Sequence, residues 1–396
     1  MEQLTPSRRY FDNAATSFPK PPAVYEAVRD YLENIGASAG RGAYREALES
    51  GRVLDDCRAA LRTLFHASAD DQVIFTLNGT DALNLALKGL VRPGEHVVTT
   101  CLDHNSVLRP LSAMQEQCGV PWTAVAVNRR TTRLEPKDVE RALREDTALV
   151  VINHASNVTG VLQPIEDVAA VCRTRGVPLL VDAAQSAGHV PIDLSAVRID
   201  MLACPGHKGL LGPLGTGVLV LTPEMAETLR TVREGGTGSQ SEHPVQPTFS
   251  PDKFEAGSHN GPGIGGLLAA VRWIFARGMA RLRAAEEELC GELIERLNRI
   301  DGLRWYGPRD VRQRVGVFSI RLHGVDPAEL AALLEERFGI LTRSGLHCAP
   351  LAHQTIGTYA NGGTTRLSLG PFLEADDIEV VSEALAEITR HVAQPA

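Results

Sequence analysis

The sequence predicts an α/β protein, with a large, mainly parallel-sheet domain followed by a smaller α+β C-terminal domain. Three observations carry this reading. Short apolar runs rich in β-branched residues recur through the first two thirds of the chain, as expected of strands covered on both faces. Amphipathic stretches alternate with them, and strand–helix alternation implies a parallel sheet. Beyond about residue 230 the texture changes to a breaker-rich stretch and then long helical patterns.

Taken in order, QVIFT (72–76), HVVTT (96–100), ALVVIN (148–153), PLLVDA (178–183) and IDMLA (199–203) read as buried strands. DALNLALKGL (81–90) and IEDVAAVCRTRG (165–176) read as helices, the second closed by Gly176 in the usual stop position. GGTGSQSEHPVQPTFSPDK (235–253) is polar and rich in turn formers, a long surface loop of the kind that is usually functional or disordered. Helical patterns through 262–300, the strand GVFSIRL (316–322), a helix from Pro327 to Phe338 and a closing helix after Glu374 make up the second unit. The expected division is a large domain over 21–262 and a small one built from 1–20 and 263–396. No internal repeat or low-complexity segment interrupts it.

The bulk numbers exclude several classes. The 396 residues are 43% hydrophobic and 22% charged, ordinary for a globular protein with room for a substantial core. A formal charge of −8 without a basic cluster argues against a nucleic-acid partner. No run approaches the roughly eighteen apolar residues of a membrane helix, and the first residues lack the apolar core of a signal peptide. Seven scattered cysteines without a C-x-x-C pair argue against a disulfide framework and a zinc ribbon. A reduced, soluble, cytoplasmic protein is expected, with no membrane contact and no metal.

In open parallel sheets ligands bind beyond the carboxyl ends of the strands. NGTDA (78–82) ends one strand and opens a helix, so Gly79 and Thr80 are either a turn and cap or an anion cradle. DHNS (103–106) carries His104, a cap or a site residue. NHASNVTG (153–160) carries Asn157 in a turn. VDAAQSAGH (181–189) carries Asp182 at a strand end and Gln185 just past it, where a carboxylate can also cap the next helix. ACPGHKGLLGPLGTG (203–217) is the most informative segment. Lys208 sits in a glycine-dense turn that lets a planar ligand approach, and a lysine desolvated there becomes a nucleophilic amine. An amine, a carboxylate, a ring donor and an anion cradle together describe a site for pyridoxal 5'-phosphate. Lys208, Asp182, Gln185 with Asn157, and Gly79 with Thr80 supply them in that order, with His104 stacking on the ring.

With these residues in view, the sequence resembles the class V, fold-type I pyridoxal-phosphate enzymes, and among them the group of cysteine desulfurases and selenocysteine lyases. YFDNAAT (10–16), NGTDALN (78–84), DHNSV (103–107), SNVTG (156–160), VDAAQSAGH (181–189), GHKGLLGPLGTG (206–217), FEAGS (254–258), RSGLHCA (343–349) and TTRLSL (364–369) carry the resemblance in family order. It implies that Lys208 binds the cofactor aldehyde and later moves the substrate α-proton, and that Asp182 keeps the ring nitrogen protonated. His104 stacks and helps shuttle protons. Gly79, Thr80 and His207 hold the phosphate, and Ser258 reaches it from the other subunit of a homodimer. Arg366 clamps the substrate carboxylate, for which a planar bidentate donor is suited, and Asn13 lies near the substrate mouth. Cys348 accepts the sulfur of L-cysteine as a persulfide while alanine leaves. Two positions depart from the family pattern: Pro205 where a serine commonly contacts the phosphate, and Leu346 where a histidine often precedes the His-Cys pair.

The turn formers around Cys348 predict a mobile, accessible loop, and His347 beside it receives no role, since neighbours in an extended segment point opposite ways. Three functions remain in view: a cysteine desulfurase that also accepts L-selenocysteine; another class V enzyme (aminotransferase, epimerase or lyase) in which Cys348 is incidental; and a cofactor or persulfide carrier with little turnover. A small reductant, a sulfur-acceptor protein or an iron–sulfur assembly scaffold would each serve as acceptor. GPGIGG (261–266) follows a polar loop and not a strand, so it reads as a tightly packed helix start and not a dinucleotide site. His243, His259 and His353 are expected at the surface, Cys57, Cys172 and Cys290 in packing, and Glu286 to Glu288 on a solvated helix face.

Overall fold

The computed structural model describes residues 8–392. Its largest feature is a seven-stranded sheet: β1 (Gln72–Thr76), β2 (His96–Thr100), β3 (Trp122–Val125), β4 (Thr147–Asn153), β5 (Leu179–Asp182), β6 (Met201–Pro205) and β7 (Gly217–Leu221). The spatial order is β1-β7-β6-β5-β4-β2-β3. All five runs expected as strands are strands. β7, which the sequence reading left unassigned, runs antiparallel between β1 and β6, while the pairings among β6, β5, β4, β2 and β3 are parallel.

The apolar runs are continuous because both faces of the sheet are covered. Val150 and Ile152 of β4 enter one core with Cys57, Leu61 and Val271 from the helices Arg45–Leu64 and Gly261–Arg277. Leu149 and Val151 enter the other with Leu83, Leu87 and Leu111 from Gly79–Leu90 and Asn105–Cys118. A strand's side chains alternate between faces, so only a doubly covered strand needs every position apolar.

A second sheet of four strands is antiparallel, in the order Arg343–Gly345, Thr364–Ser368, Val317–Leu322, Leu303–Tyr306. The helices Met279–Leu297, Pro327–Phe338 and Ala375–Val392 pack on it. Arg9–Tyr10 pairs with Ile340–Leu341 and Asp12 bridges Ser368, which lays the start of the described chain on this sheet. Residues 1–7 and 393–396 of the expected small domain lie outside the described residues. The helix at GPGIGG starts at Gly261, where a Cβ would lie 2.0 Å from the Tyr31 hydroxyl. Close packing, not phosphate binding, accounts for glycine there.

Three surface expectations are corrected. His353 is fully buried, its Nδ1 bonded to Thr358 Oγ1 at 2.7 Å, and His259 is half-buried, donating to Glu255 at 2.6 Å. Glu286 is also turned inward, where it accepts from His189 Nδ1 (2.8 Å), Gly316 N (2.9 Å) and Arg283 Nη1 (3.0 Å). His259 and His353 are settled by partners four and five residues away, and Glu286 by His189 and Gly316, 97 and 30 residues away, none of which the apolar periodicity registers. Cys57, Cys172 and Cys290 are buried as expected, and burial pushes each thiol up to about 12. Among the described residues no helix is long and apolar enough to cross a membrane, and no group of three or more His, Cys, Asp or Glu could hold a metal ion.

Candidate active site

The carboxyl ends of β1, β2, β4, β5 and β6 share one edge of the large sheet, where a cavity of about 400 Å³ opens. Its wall includes Gly79, Thr80, His104, Asn157, Asp182, Gln185, His207 and Lys208. Lys208 is placed by hydrogen bonds within its turn, from Gly206 N to Thr216 O, Gly212 N to Gly206 O and Leu211 N to Lys208 O, each 2.8 Å. That turn presses on the one after Asp182: a Cβ on Gly188 would lie 2.0 Å from Gly209 O, and one on Gly209 would lie 2.3 Å from Ala187 O. Two backbones meet where side chains would hold them apart.

Burial lowers the Lys208 amine to about 8, and Arg366 and Arg343 add to this, while Asp182 and Cys348 oppose it. A neutral, nucleophilic amine is thereby within reach near neutral pH. Asp182 is buried and its carboxyl is raised by desolvation, although the Ala184 amide at 2.9 Å and Lys208 favour the anion. His104 caps the helix Asn105–Cys118, its Nδ1 accepting from Ser106 N at 3.0 Å. Burial, then Lys208, Arg343, Arg366 and Arg109, push it down to about 3. The ring is therefore neutral with its proton on Nε2.

At the mouth of the helix Gly79–Leu90, Asn78 accepts from Asp81 N at 3.0 Å, and the Gly79 and Thr80 amides belong to the first turn, which lacks intrahelical partners. His207 is half-buried and held low, at about 4, by burial and by Lys208 and Lys20. Its buried Nδ1 has no partner among the described residues, so it remains available to a ligand.

Cys348 follows the strand Arg343–Gly345 in a turn where His347 (φ 46) and Cys348 (φ 57) are both left-handed. Three contacts hold this turn. Asn157 Nδ2 donates to His347 O (2.7 Å), Asn105 N donates to Cys348 O (2.7 Å), and the buried His347 ring donates from Nε2 to Thr364 (3.1 Å). The expected mobile loop is instead a clamped one, because its anchors come from distant loops. Arg343 Nη2 lies 3.7 Å from Cys348 Sγ. Arg366 is buried, giving Nη2 to Asp12 Oδ1 (2.7 Å) and Nη1 to Asn157 O (3.3 Å) and leaving a buried Nε without a partner among the described residues.

The model of the aminotransferase class-V family matches residues 9–381. The chain belongs to that family. Among curated class V relatives, it is 34% identical to a probable cysteine desulfurase of Methanothermobacter thermautotrophicus, over 96% of this chain and 94% of that one. It is 30% identical to a probable cysteine desulfurase of Pyrococcus abyssi, over 98% and 96%. The apo structure of a cysteine desulfurase from Thermococcus onnurineus superposes with a TM-score of 0.89 at 30% identity, covering 96% of this chain and 94% of that one.

Class V enzymes are pyridoxal-phosphate dependent, and the residues here fit that group. An amine of lowered pKa, a buried carboxylate, a neutral ring and a helix mouth with an unpartnered imidazole nitrogen face one cavity. Pro205 ends β6 in the same wall and would stand 3.1 Å from a Cβ on Gly79, so it closes the cradle floor without a hydroxyl. Four residues named from the class V resemblance lie off this wall: Arg366 and Cys348, whose segments are tied to it through Asn157, and Ser258 and Asn13. Ser258 is exposed in an adjoining cleft with Arg233 and Glu255. Asn13 is buried, with Nδ2 donating to Tyr10 O and Ser368 O (both 3.2 Å) and Oδ1 accepting from Phe18 N. It pins the start of the chain to the small sheet. Sequence reasoning also missed Asp12, Arg343 and Ser106. All three stand inside quoted motifs, but no spacing rule marks them.

Proposed function

We propose that the protein is a pyridoxal 5'-phosphate-dependent cysteine desulfurase that converts L-cysteine to L-alanine and takes the sulfur onto Cys348 as a persulfide. The observation that carries this is the thiol itself, in a turn that Asn157 of the cavity wall ties down, close enough to Lys208 to act on its charge and with Arg343 3.7 Å from its sulfur. Transamination has no need of such a group. When bound, the cofactor supplies an electron sink for the carbanion formed at the substrate Cα. Lys208 would hold its aldehyde and serve as the base for the α-proton, Asp182 would hold the proton of the ring nitrogen, and His104 would stack on the ring. Gly79, Thr80 and His207 hold the phosphate. Gln185 and Asn157 would donate to the ring oxygen, their amides being tied to Ala14 O and His347 O by one bond each, with a second N–H left on each nitrogen.

Arg366 receives the substrate carboxylate, with its Nε and the second N–H on each Nη left as donors. Asp12 keeps the guanidinium oriented, and Asn13 fixes Asp12 at the mouth. The Cys348 thiolate attacks the substrate sulfur. The C–S bond breaks, its electrons stay on the substrate carbon, and that carbon takes up a proton on the way to alanine. L-Selenocysteine is handled by the same route. The working form is a homodimer in which the exposed Ser258 serves the other subunit's phosphate, and a sulfur-acceptor protein or small thiol discharges the persulfide. The domain division at 21–262, against 1–20 with 263–396, and a cytoplasmic location belong to the same reading, the latter supported by seven free thiols.

The test is alanine and sulfide release from L-cysteine with a reductant, for native protein, Cys348→Ala and Lys208→Ala, with absorption spectra of each. Equal yields of both products are expected, abolished in Cys348→Ala with the cofactor still bound. If Cys348→Ala turns over cysteine as well as native protein does, the thiol is not the acceptor.

A further inference from the structure

Three polar groups line up between the helix mouth and the stacking histidine. Ser106 Oγ is 2.9 Å from His104 Nδ1 and 2.7 Å from Thr80 Oγ1, and it is buried beside the cavity. Counting protons orients the chain. His104 Nδ1 accepts the Ser106 amide, so it carries no hydrogen, and only the Ser106 hydroxyl can donate across the 2.9 Å contact. The Ser106 oxygen is then the acceptor for the Thr80 hydroxyl. The order is Thr80 to Ser106 to His104.

An anion at the helix mouth reverses this order. It takes the Thr80 hydroxyl proton as a donor, because a phosphate oxygen is the stronger acceptor. Two lone pairs would then face each other across 2.7 Å unless Ser106 turns its own proton toward Thr80. His104 Nδ1 keeps the amide and loses the hydroxyl. We propose that Ser106 is a positioning residue that links the anion cradle at Thr80 to His104, so that filling the cradle releases a hydrogen bond from the imidazole. A lone pair freed of a donor is more basic, so the proton chemistry of His104 is set only once the phosphate is seated. The inference rests on the reading of Gly79 and Thr80 as the phosphate cradle.

The experiment uses full-length apoprotein labelled with ¹⁵N-histidine, inorganic phosphate as the probe, and a His104→Gln spectrum for assignment. In native protein, phosphate should move the Nδ1 resonance downfield as the hydroxyl donor is withdrawn. Ser106→Ala keeps the backbone amide, and its resonance should start downfield and stay there, while Ser106→Thr should restore the response. An equal response in native and Ser106→Ala would mean that the phosphate charge acts directly, and would overturn the relay. So would an unmoved native resonance at saturating phosphate, or no phosphate binding. L-Cysteine is absent throughout, so a relay that works in a chain releasing no alanine would leave this inference standing and remove the desulfurase reading.

Discussion

The contact between the Asp182 and Lys208 turns can be broken with a single methyl group. Gly188 lies at φ +84, and its Cβ would sit 2.0 Å from Gly209 O, where real Cβ contacts essentially never fall under 3.0 Å. In Gly188→Ala the two turns must part by about 1 Å, since a close-packed interior has no slack to take up the clash. Gly209 is bonded directly to Lys208, so the amine moves with it. A displacement of that size in a positioned reacting group costs about 100-fold in rate. The left-handed backbone adds about 1–2 kcal/mol and the overpacking about 1–3 kcal/mol. Gly176→Ala is the control, because Gly176 is also left-handed (φ +66) but has nothing within 4 Å of its Cβ among the described residues. Steady-state alanine formation from L-cysteine and thermal midpoints should be measured on holoprotein. We expect Gly176→Ala to lose a little stability and no activity, and Gly188→Ala to lose both. A Gly188→Ala protein with native turnover would refute the view that this backbone contact positions Lys208.

Glu286→Gln should cost about 1–3 kcal/mol, because one amide N–H must face a donor now bonded to the carboxylate. Burial alone would raise the Glu286 carboxyl, yet His189, the Gly316 amide and Arg283 bring it below the ordinary value. Its contribution is thus complete above the unfolded pKa of about 4.3 and is lost as pH falls through the lower folded value, so denaturation midpoints of native and variant should converge in acid. Lys208 has the same pH slope but acts through a penalty. Its folded pKa of about 8 lies below the ordinary 10.5, so charging the buried amine destabilises apoprotein at low pH and the penalty lifts as pH rises between those values. Lys208→Met should therefore be more stable than native apoprotein at pH 7, with the gap closing by pH 10–11. A gap that stays constant with pH would show that Lys208 is not desolvated.

Much of the large sheet was legible because its signals are local. The runs around Val73, Val150 and Val181 could be covered on both faces or not be strands at all, and Gly206, Gly209 and Gly212 around Lys208 admit only a turn. β7 escaped notice although GVLVL (217–221) is as apolar as its neighbours, because it follows the glycine-dense turn so closely that turn and strand read as one segment. His353 and Glu286 were misplaced for a different reason. A polar residue is buried when partners elsewhere satisfy it, and Thr358, His189 and Gly316 are not visible in the periodicity of its own helix.

The sequence by itself determined the strand–helix alternation, the glycine turn that carries Lys208, and the residue types a phosphorylated aldehyde cofactor needs at the strand ends. Each depends on side-chain period or backbone freedom over a few residues. Only the tertiary structure decided that Asp12 orients Arg366 from 354 positions away, that Asn157 clamps the Cys348 turn from 190 away, and that Ser106 joins Thr80 to His104. Hydrogen bonds and ion pairs act over about 3–4 Å of space whatever the separation along the chain, so these pairings come into being only when the strands that carry them are laid side by side.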